Sequence, residues 1–151
     1  MRISLIGSGS RLDEQTEQLA EDVGRLLAER EHTLVCGGMG GVMRAACRGA
    51  HESDGETIGI LPTDSVADVN RFVTTPIETG MGHARNMLVP LNGRAVIAIA
   101  GGGGTLSEHG FSRVYDRPVA GLNTHDLPWI AAVDTPDEAV NYVEATAATN
   151  R

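Results

Sequence analysis

The chain has 151 residues, 41% of them hydrophobic, only 3% aromatic and 19 of them glycine, which suits one domain built on a close-packed aliphatic core. Twenty acidic residues against 12 basic ones give a formal charge of −8, and every basic residue is an arginine. The absence of lysine excludes a Schiff base to pyridoxal phosphate and a lysine-bearing phosphate loop, and the acidic balance argues against nucleic acid as a general partner.

The predicted elements alternate along the chain. Ile3 to Ile6 reads as a short apolar strand running into Gly7-Ser8-Gly9-Ser10. Leu12, Leu19, Val23, Leu26 and Leu27 then recur at helical spacing. Thr33 to Cys36 is a second strand, closed by Gly37-Gly38-Met39-Gly40-Gly41. The helix predicted from Val42 to about Ala50 is rich in alanine, so that it can lie close on a sheet. Thr57 to Leu61 reads as a strand, Pro62 to Asn70 as loop, and Arg71 to Thr75 as another short strand. Gly80 to Leu91 reads as a helix with Met81, Ala84, Leu88 and Leu91 on one face. Ala95 to Ala100 is an unbroken apolar run, the mark of a central strand covered on both faces. It ends in Gly101-Gly102-Gly103-Gly104, with a helix expected from Thr105. Val119 and Ile130 to Val133 are the last strand candidates. Thr135-Pro136-Asp137-Glu138 has a threonine cap, a proline at the first position and a glutamate three after the cap, so it starts a helix predicted to run to about Ala148.

Strand, glycine turn and helix in repetition predict an α/β fold: one Rossmann-like domain over residues 1–151, a doubly wound parallel sheet with helices on both faces. In such a sheet the carboxyl ends of the strands share one edge, so the three glycine turns are expected to converge there. Glycine lets backbone approach a ligand closely, and helix N-termini offer free N–H groups. The turns therefore predict an anion site for a phosphorylated small molecule, its candidate binding residues being Gly7, Ser8, Gly9, Ser10, Gly37, Gly38, Met39, Gly40, Gly101, Gly102, Gly103, Gly104 and Thr105.

Several residues carry two readings. Thr105 and Glu108 have capping-box spacing, or else put a hydroxyl on a phosphate and a carboxylate in the cleft. Ser8 and Ser10 contact phosphate, or cap the first helix with Asp13. Arg85 is a surface charge or a ligand contact at the same edge. His83 and His109 flank these positions as surface or supporting histidines, and Trp129 reads as packing. Cys36 and Cys47 are expected to be buried reduced thiols, and no spacing predicts a metal site. No apolar run of 18 residues appears, and the first residues reach glycine too soon for a signal peptide, so a cytoplasmic protein without membrane association is expected.

At Gly37 to Met43, Arg85 and Gly101 to Glu108 the sequence resembles the LONELY GUY superfamily, long misnamed lysine decarboxylases. The last block fits that family's G-G-x-G-T-x-x-E signature, and the three blocks are ordered and spaced alike over nearly the whole chain. The resemblance implies hydrolysis of the N-glycosidic bond of nucleoside 5′-monophosphates, releasing free base and ribose 5-phosphate. Glu108 would then stabilise an oxocarbenium-like transition state or orient water, Arg85 would hold the nucleotide or assist the leaving base, and the glycine loops and Thr105 would hold the phosphate. It also implies a homodimer or larger homo-oligomer and no required cofactor. Two positions depart from the enzymes, Ala100 in place of proline and Asn86 in place of lysine. The segment Arg85 to Val89, Gly103, and Leu106 to Glu108 look closer to a short sister branch that includes molybdenum cofactor carrier proteins. That branch implies a non-catalytic carrier, with molybdenum cofactor or another phosphorylated pterin or nucleotide as the bound ligand.

Overall fold

Successive side chains of a strand point to opposite faces of the sheet, and in this chain both faces are apolar. A computed structural model of the protein describes residues 1–149, so the last two residues of the predicted 1–151 unit lie outside the described range. The strands β1 (Arg2–Gly7), β2 (Thr33–Cys36), β3 (Thr57–Leu61), β4 (Thr75–Glu78), β5 (Val96–Ile99), β6 (Val119–Leu122) and β7 (Ile130–Ala132) form one sheet. Their order is β4-β3-β2-β1-β5-β6-β7 and every pairing is parallel, with Leu5 opposite Ile97 at the centre. Among the described residues four α-helices lie between strands, α1 (Glu14–Glu29), α2 (Val42–Glu52), the short α3 (Leu88–Asn92) and α4 (Gly103–Val114), and α5 (Pro136–Thr149) follows β7.

Ile3, Leu5, Leu34, Cys36, Ile97, Ile99 and Leu122 meet the buried stripes of α1, α2 and α5. Ile6, Val35, Ile60, Val96, Ala98 and Val119 meet the opposite layer, where Val89 of α3 packs and α4 lies beside α3. The fold is therefore the predicted doubly wound α/β sheet. From β1 the chain builds outward to β4, then crosses back to start β5 on the other side of β1. That reversal opens a crevice beyond the carboxyl ends of β1 and β5, the usual ligand position in such sheets.

Small residues set the helix spacing. A Cβ on Gly24 of α1 would lie 1.9 Å from the Ala46 carbonyl oxygen, and one on Gly49 of α2 would lie 2.0 Å from that of Glu21. The small residues of α2 thus serve its contact with α1 as well as its contact with the sheet.

Three expectations are corrected. The strand expected over Arg71 to Thr75 begins only at Thr75, and β4 runs on to Glu78 at the sheet edge. Phe72 turns into the core, and Thr57 and Thr74 exchange side-chain and backbone hydrogen bonds that hold residues 71–74 out of the ladder. The helix expected over Gly80 to Leu91 is instead a six-residue 3-10 turn, Gly82–Met87, followed by α3. Gly80 and Gly82 take positive φ (62° and 59°), which a right-handed helix cannot continue through, and Pro90 supplies no N–H. Its burial is inverted as well: Met81, Ala84 and Leu91 are exposed, whereas Arg85 and Asn86 are buried. Finally, α4 starts at Gly103 with Gly102 as its cap, so Thr105 and Glu108 form no capping box.

The last helix starts as its sequence dictates: the Glu138 N–H donates to Thr135 Oγ1 at 3.2 Å, and Glu138 Oε2 accepts from the Asp134 N–H at 2.8 Å. Cys36 and Cys47 are free and buried with their sulfurs 3.6 Å apart, and their mutual hydrogen bond and burial hold the Cys36 thiol well above its usual range. No helix among the described residues is long and apolar enough to cross a membrane.

Candidate functional site

Two of the three glycine turns meet directly. The Val42 N–H donates to the Ser8 carbonyl at 2.8 Å, and a Cβ on Gly41 (φ 59°) would lie 2.1 Å from that same oxygen. Only glycine fits there, so the end of β1 and the start of α2 are locked together. The third turn follows β5, the neighbour of β1. Ala100 takes φ 52°, Gly101 takes φ 119°, and the next three glycines lead into α4.

Between these turns lies a cavity of about 300 Å³. Gly7, Ser8, Gly9 and Ser10 line one side, Gly102, Gly103, Gly104 and Thr105 another, and Arg85 and Glu108 face it as well. The N–H groups of Gly103, Gly104 and Thr105 belong to the first turn of α4 and have no partner within the helix. Its first turn carries no acidic residue, so nothing there neutralises the partial positive charge. A larger hollow of about 670 Å³ lies elsewhere, around Tyr115, Trp129 and Tyr142, and none of the glycine turns reaches it.

Arg85 is buried and its guanidinium is fixed by strand ends. Nε donates to the Ile60 carbonyl at 2.9 Å, Nη2 to that of Gly37 at 3.5 Å, and Nη1 to Asn86 Oδ1. Asn86 Nδ2 donates in turn to Ser107 Oγ at 3.1 Å, tying this segment to α4. Glu108 is 7% exposed, and its carboxyl makes no hydrogen bond with a described residue. Burial pushes it up to about 8, against the opposing pull of Arg85. At neutral pH it is therefore mostly protonated, and the positive charge of Arg85 is left unneutralised.

Behind the third turn, Thr124 Oγ1 donates to the Ala100 carbonyl at 2.6 Å, so His109 Nε2, 3.1 Å from that hydroxyl, must be the donor to it. The buried His109 ring is held neutral, down to about 4, by burial and by the neighbouring His125. The chain His109–Thr124–Ala100 thus braces the bend that starts the glycine run. Trp129 packs as expected, its Nε1 donating to the His109 carbonyl at 3.1 Å.

The structure brings together most of the residues singled out in the sequence. Ser8 and Ser10 line the cavity, whereas Asp13 alone caps α1 by accepting from the Thr16 N–H at 2.8 Å. Gly37, Gly38, Met39, Gly40 and Gly101 do not line it: Gly37 backs Arg85, Gly38 carries a positive φ of 75°, and Gly101 packs against the Thr105 side chain. His83, Asn86 and Met43 line it and were not proposed from sequence as ligand contacts. For Asn86 the signal was its place beside Arg85; for Met43 it was its place just after a glycine turn. No group of three or more histidine, cysteine, aspartate or glutamate side chains that could hold a metal occurs among the described residues.

Comparison with known proteins gives this geometry a context. The model of the SLOG cluster4 family matches residues 1–149. An uncharacterised protein of Archaeoglobus fulgidus is 40% identical over 143 residues, covering 94% of this chain and 93% of that protein. The molybdenum cofactor binding protein of the phototrophic bacterium Rippkaea orientalis superimposes with a TM-score of 0.88 at 31% identity over 96% of both chains. The molybdenum cofactor carrier protein of Chlamydomonas reinhardtii superimposes with a TM-score of 0.87 at 28% identity, over 97% of this chain and 98% of that one.

Proposed function

Since the chain belongs to the SLOG cluster4 family, we propose that its cleft binds a phosphorylated pterin and that the protein is a carrier of molybdenum cofactor. The observation that carries this reading is the full-length likeness to two proteins that bind or carry that cofactor, met at a cleft built for an anion. The phosphate sits against the free N–H groups of Gly103, Gly104 and Thr105, with Arg85 supplying the charge and Ser8, Ser10 and the Thr105 hydroxyl the remaining donors. A protonated Glu108 lets the anion approach without repulsion and donates a hydrogen bond of its own.

The test uses cofactor released from a molybdoenzyme, incubated with the purified chain and passed over a sizing column. Pterin fluorescence is expected to elute with the protein. Gly103→Val places a side chain where an added Cβ meets nothing within 4 Å, so the variant is expected to fold and to lose the pterin. A wild-type chain that elutes without pterin refutes the reading.

A second reading, hydrolysis of nucleoside 5′-monophosphates, is favoured by Arg85 and Glu108 facing one cavity. With Glu108 protonated, its role would be to give a proton to the leaving base rather than to stabilise positive charge. Free adenine from AMP, lost in Glu108→Gln, supports it; AMP left intact rejects it.

A further inference from the structure

A second cavity, of about 490 Å³, adjoins the cleft across a shared wall formed by Gly9 and Ser10. Arg11, Arg44 and Arg48 line it, together with Glu14, Glu17 and Gly41. Arg48 is already paired, 3.1 Å from Glu17 and also bonded to Glu21, so its single charge is spent on these two carboxylates. Arg11 and Arg44 have no carboxylate within 4 Å among the described residues. In a chain of net charge −8, this hollow brings two arginines without a carboxylate partner up to the wall it shares with the cleft.

A third arginine adds to the imbalance. Arg44 and Arg71 both lie over the Phe72 ring, 5.7 and 4.8 Å from its centroid, and Arg71 too has no carboxylate partner among the described residues. The ring's electron-rich face tolerates two like charges, but it does not neutralise them. Besides Glu14, one carboxylate of the Glu17–Glu21 pair is left over at Arg48, against Arg11 and Arg44 with Arg71 beside them. The N-terminus of α2 opens here as well: Gly41 caps it without a side-chain bond, and its first turn carries no acid. Four arginines against three carboxylates leave this corner a small excess of positive charge, which favours an anion there.

We propose that Arg11 and Arg44 form a second anion subsite, which takes the distal phosphoryl group of a ligand whose first phosphate lies in the cleft. The shared wall at Gly9 and Ser10 makes the two subsites neighbours, so one molecule with two linked phosphates spans them. The ligand class that fits is a pyrophosphate-linked dinucleotide rather than a simple monophosphate. This deepens the carrier reading and rests on it: the pterin's own phosphate occupies the cleft, and the nucleotide half reaches the arginines.

The experiment compares two probes by equilibrium titration of the full chain: molybdenum cofactor as the pterin monophosphate, and the same cofactor extended by a nucleotide through a pyrophosphate. Wild type is expected to bind the extended form at least tenfold more tightly. In Arg11→Ala/Arg44→Ala that preference is expected to vanish while monophosphate affinity stays within about twofold. Both side chains are exposed, so the fold has little to lose. Arg94→Ala, an exposed arginine leading into the amino end of β5, controls for net charge and is expected to keep the preference. Equal affinities in wild type, or a preference that survives the double replacement, overturn the subsite and leave the cleft standing. Retention of neither form overturns the cleft reading and the subsite with it.

Discussion

Glu108 is the residue at which burial and chemistry meet most directly. Its folded-state value of about 8 lies above the ordinary carboxylate value of 4.5, because burial penalises the charge more than Arg85 rewards it. Between those two values the folded protein holds a proton that the unfolded chain releases, so stability falls as pH rises through this window and levels off above about 8. The loss is on the order of a few kcal/mol. Glu108→Gln removes the titration, so its melting temperature is expected to gain on wild type between pH 5 and pH 8.5; two parallel profiles would refute this. Ligand binding follows the same sign. Above about pH 8 a carboxylate appears in the cleft, so on the proposed reading wild-type affinity for a phosphorylated ligand is expected to drop there, while that of Glu108→Gln holds.

At the scale of elements, the contact between α1 and α2 depends on having nothing at two Cβ positions. Alanine is favoured over glycine in a helix interior by about 1 kcal/mol, so propensity alone predicts that Gly24→Ala stabilises. The opposite is expected, because the added methyl would sit 1.9 Å from the Ala46 carbonyl oxygen and force the helices apart. Overpacking of this kind costs about 1–3 kcal/mol, read as a lower denaturation midpoint with little change in slope. What the sequence disclosed follows the same division between local and distant causes. Strands β2 and β3 and the start of α5 were legible because their apolar runs and cap residues act within a few positions. The segment from Gly80 to Leu91 was not, because its helical spacing of apolar residues was real while its burial was decided elsewhere. Arg85 is drawn inward by the carbonyls of Ile60 and Gly37, which are 25 and 48 residues away in the chain. The same holds for Gly37 to Gly40: the glycine pattern foretold a bend, and only the packing of α2 against the end of β1 decides that this bend backs the cleft rather than lining it.

At the scale of the whole molecule, the cleft lies on the seam where the two halves of the sheet join, β1 with β2 to β4 on one side and β5 to β7 on the other. A ligand held by Ser8 on the first half and Gly103 on the second bridges both, so its binding is linked to unfolding of the whole chain. At a hundredfold excess over its dissociation constant, a ligand that binds only the folded state adds about 2.7 kcal/mol. For a chain of this size that raises the melting temperature by roughly 5–10 °C. A melting curve left unmoved by a hundredfold excess of pterin would mean that the folded chain does not bind it in preference to the unfolded one.

The two sides of the cleft differ in how firmly they are made. The β1 side is clamped by Val42 and Gly41 against Ser8, so it acts as a fixed anvil. The α4 side opens with Gly102 and Gly103, where an added methyl would touch nothing in the protein. Residues at that second jaw can therefore drift in evolution, or be redesigned, to reshape the hollow, since the scaffold does not register the change and only a guest would.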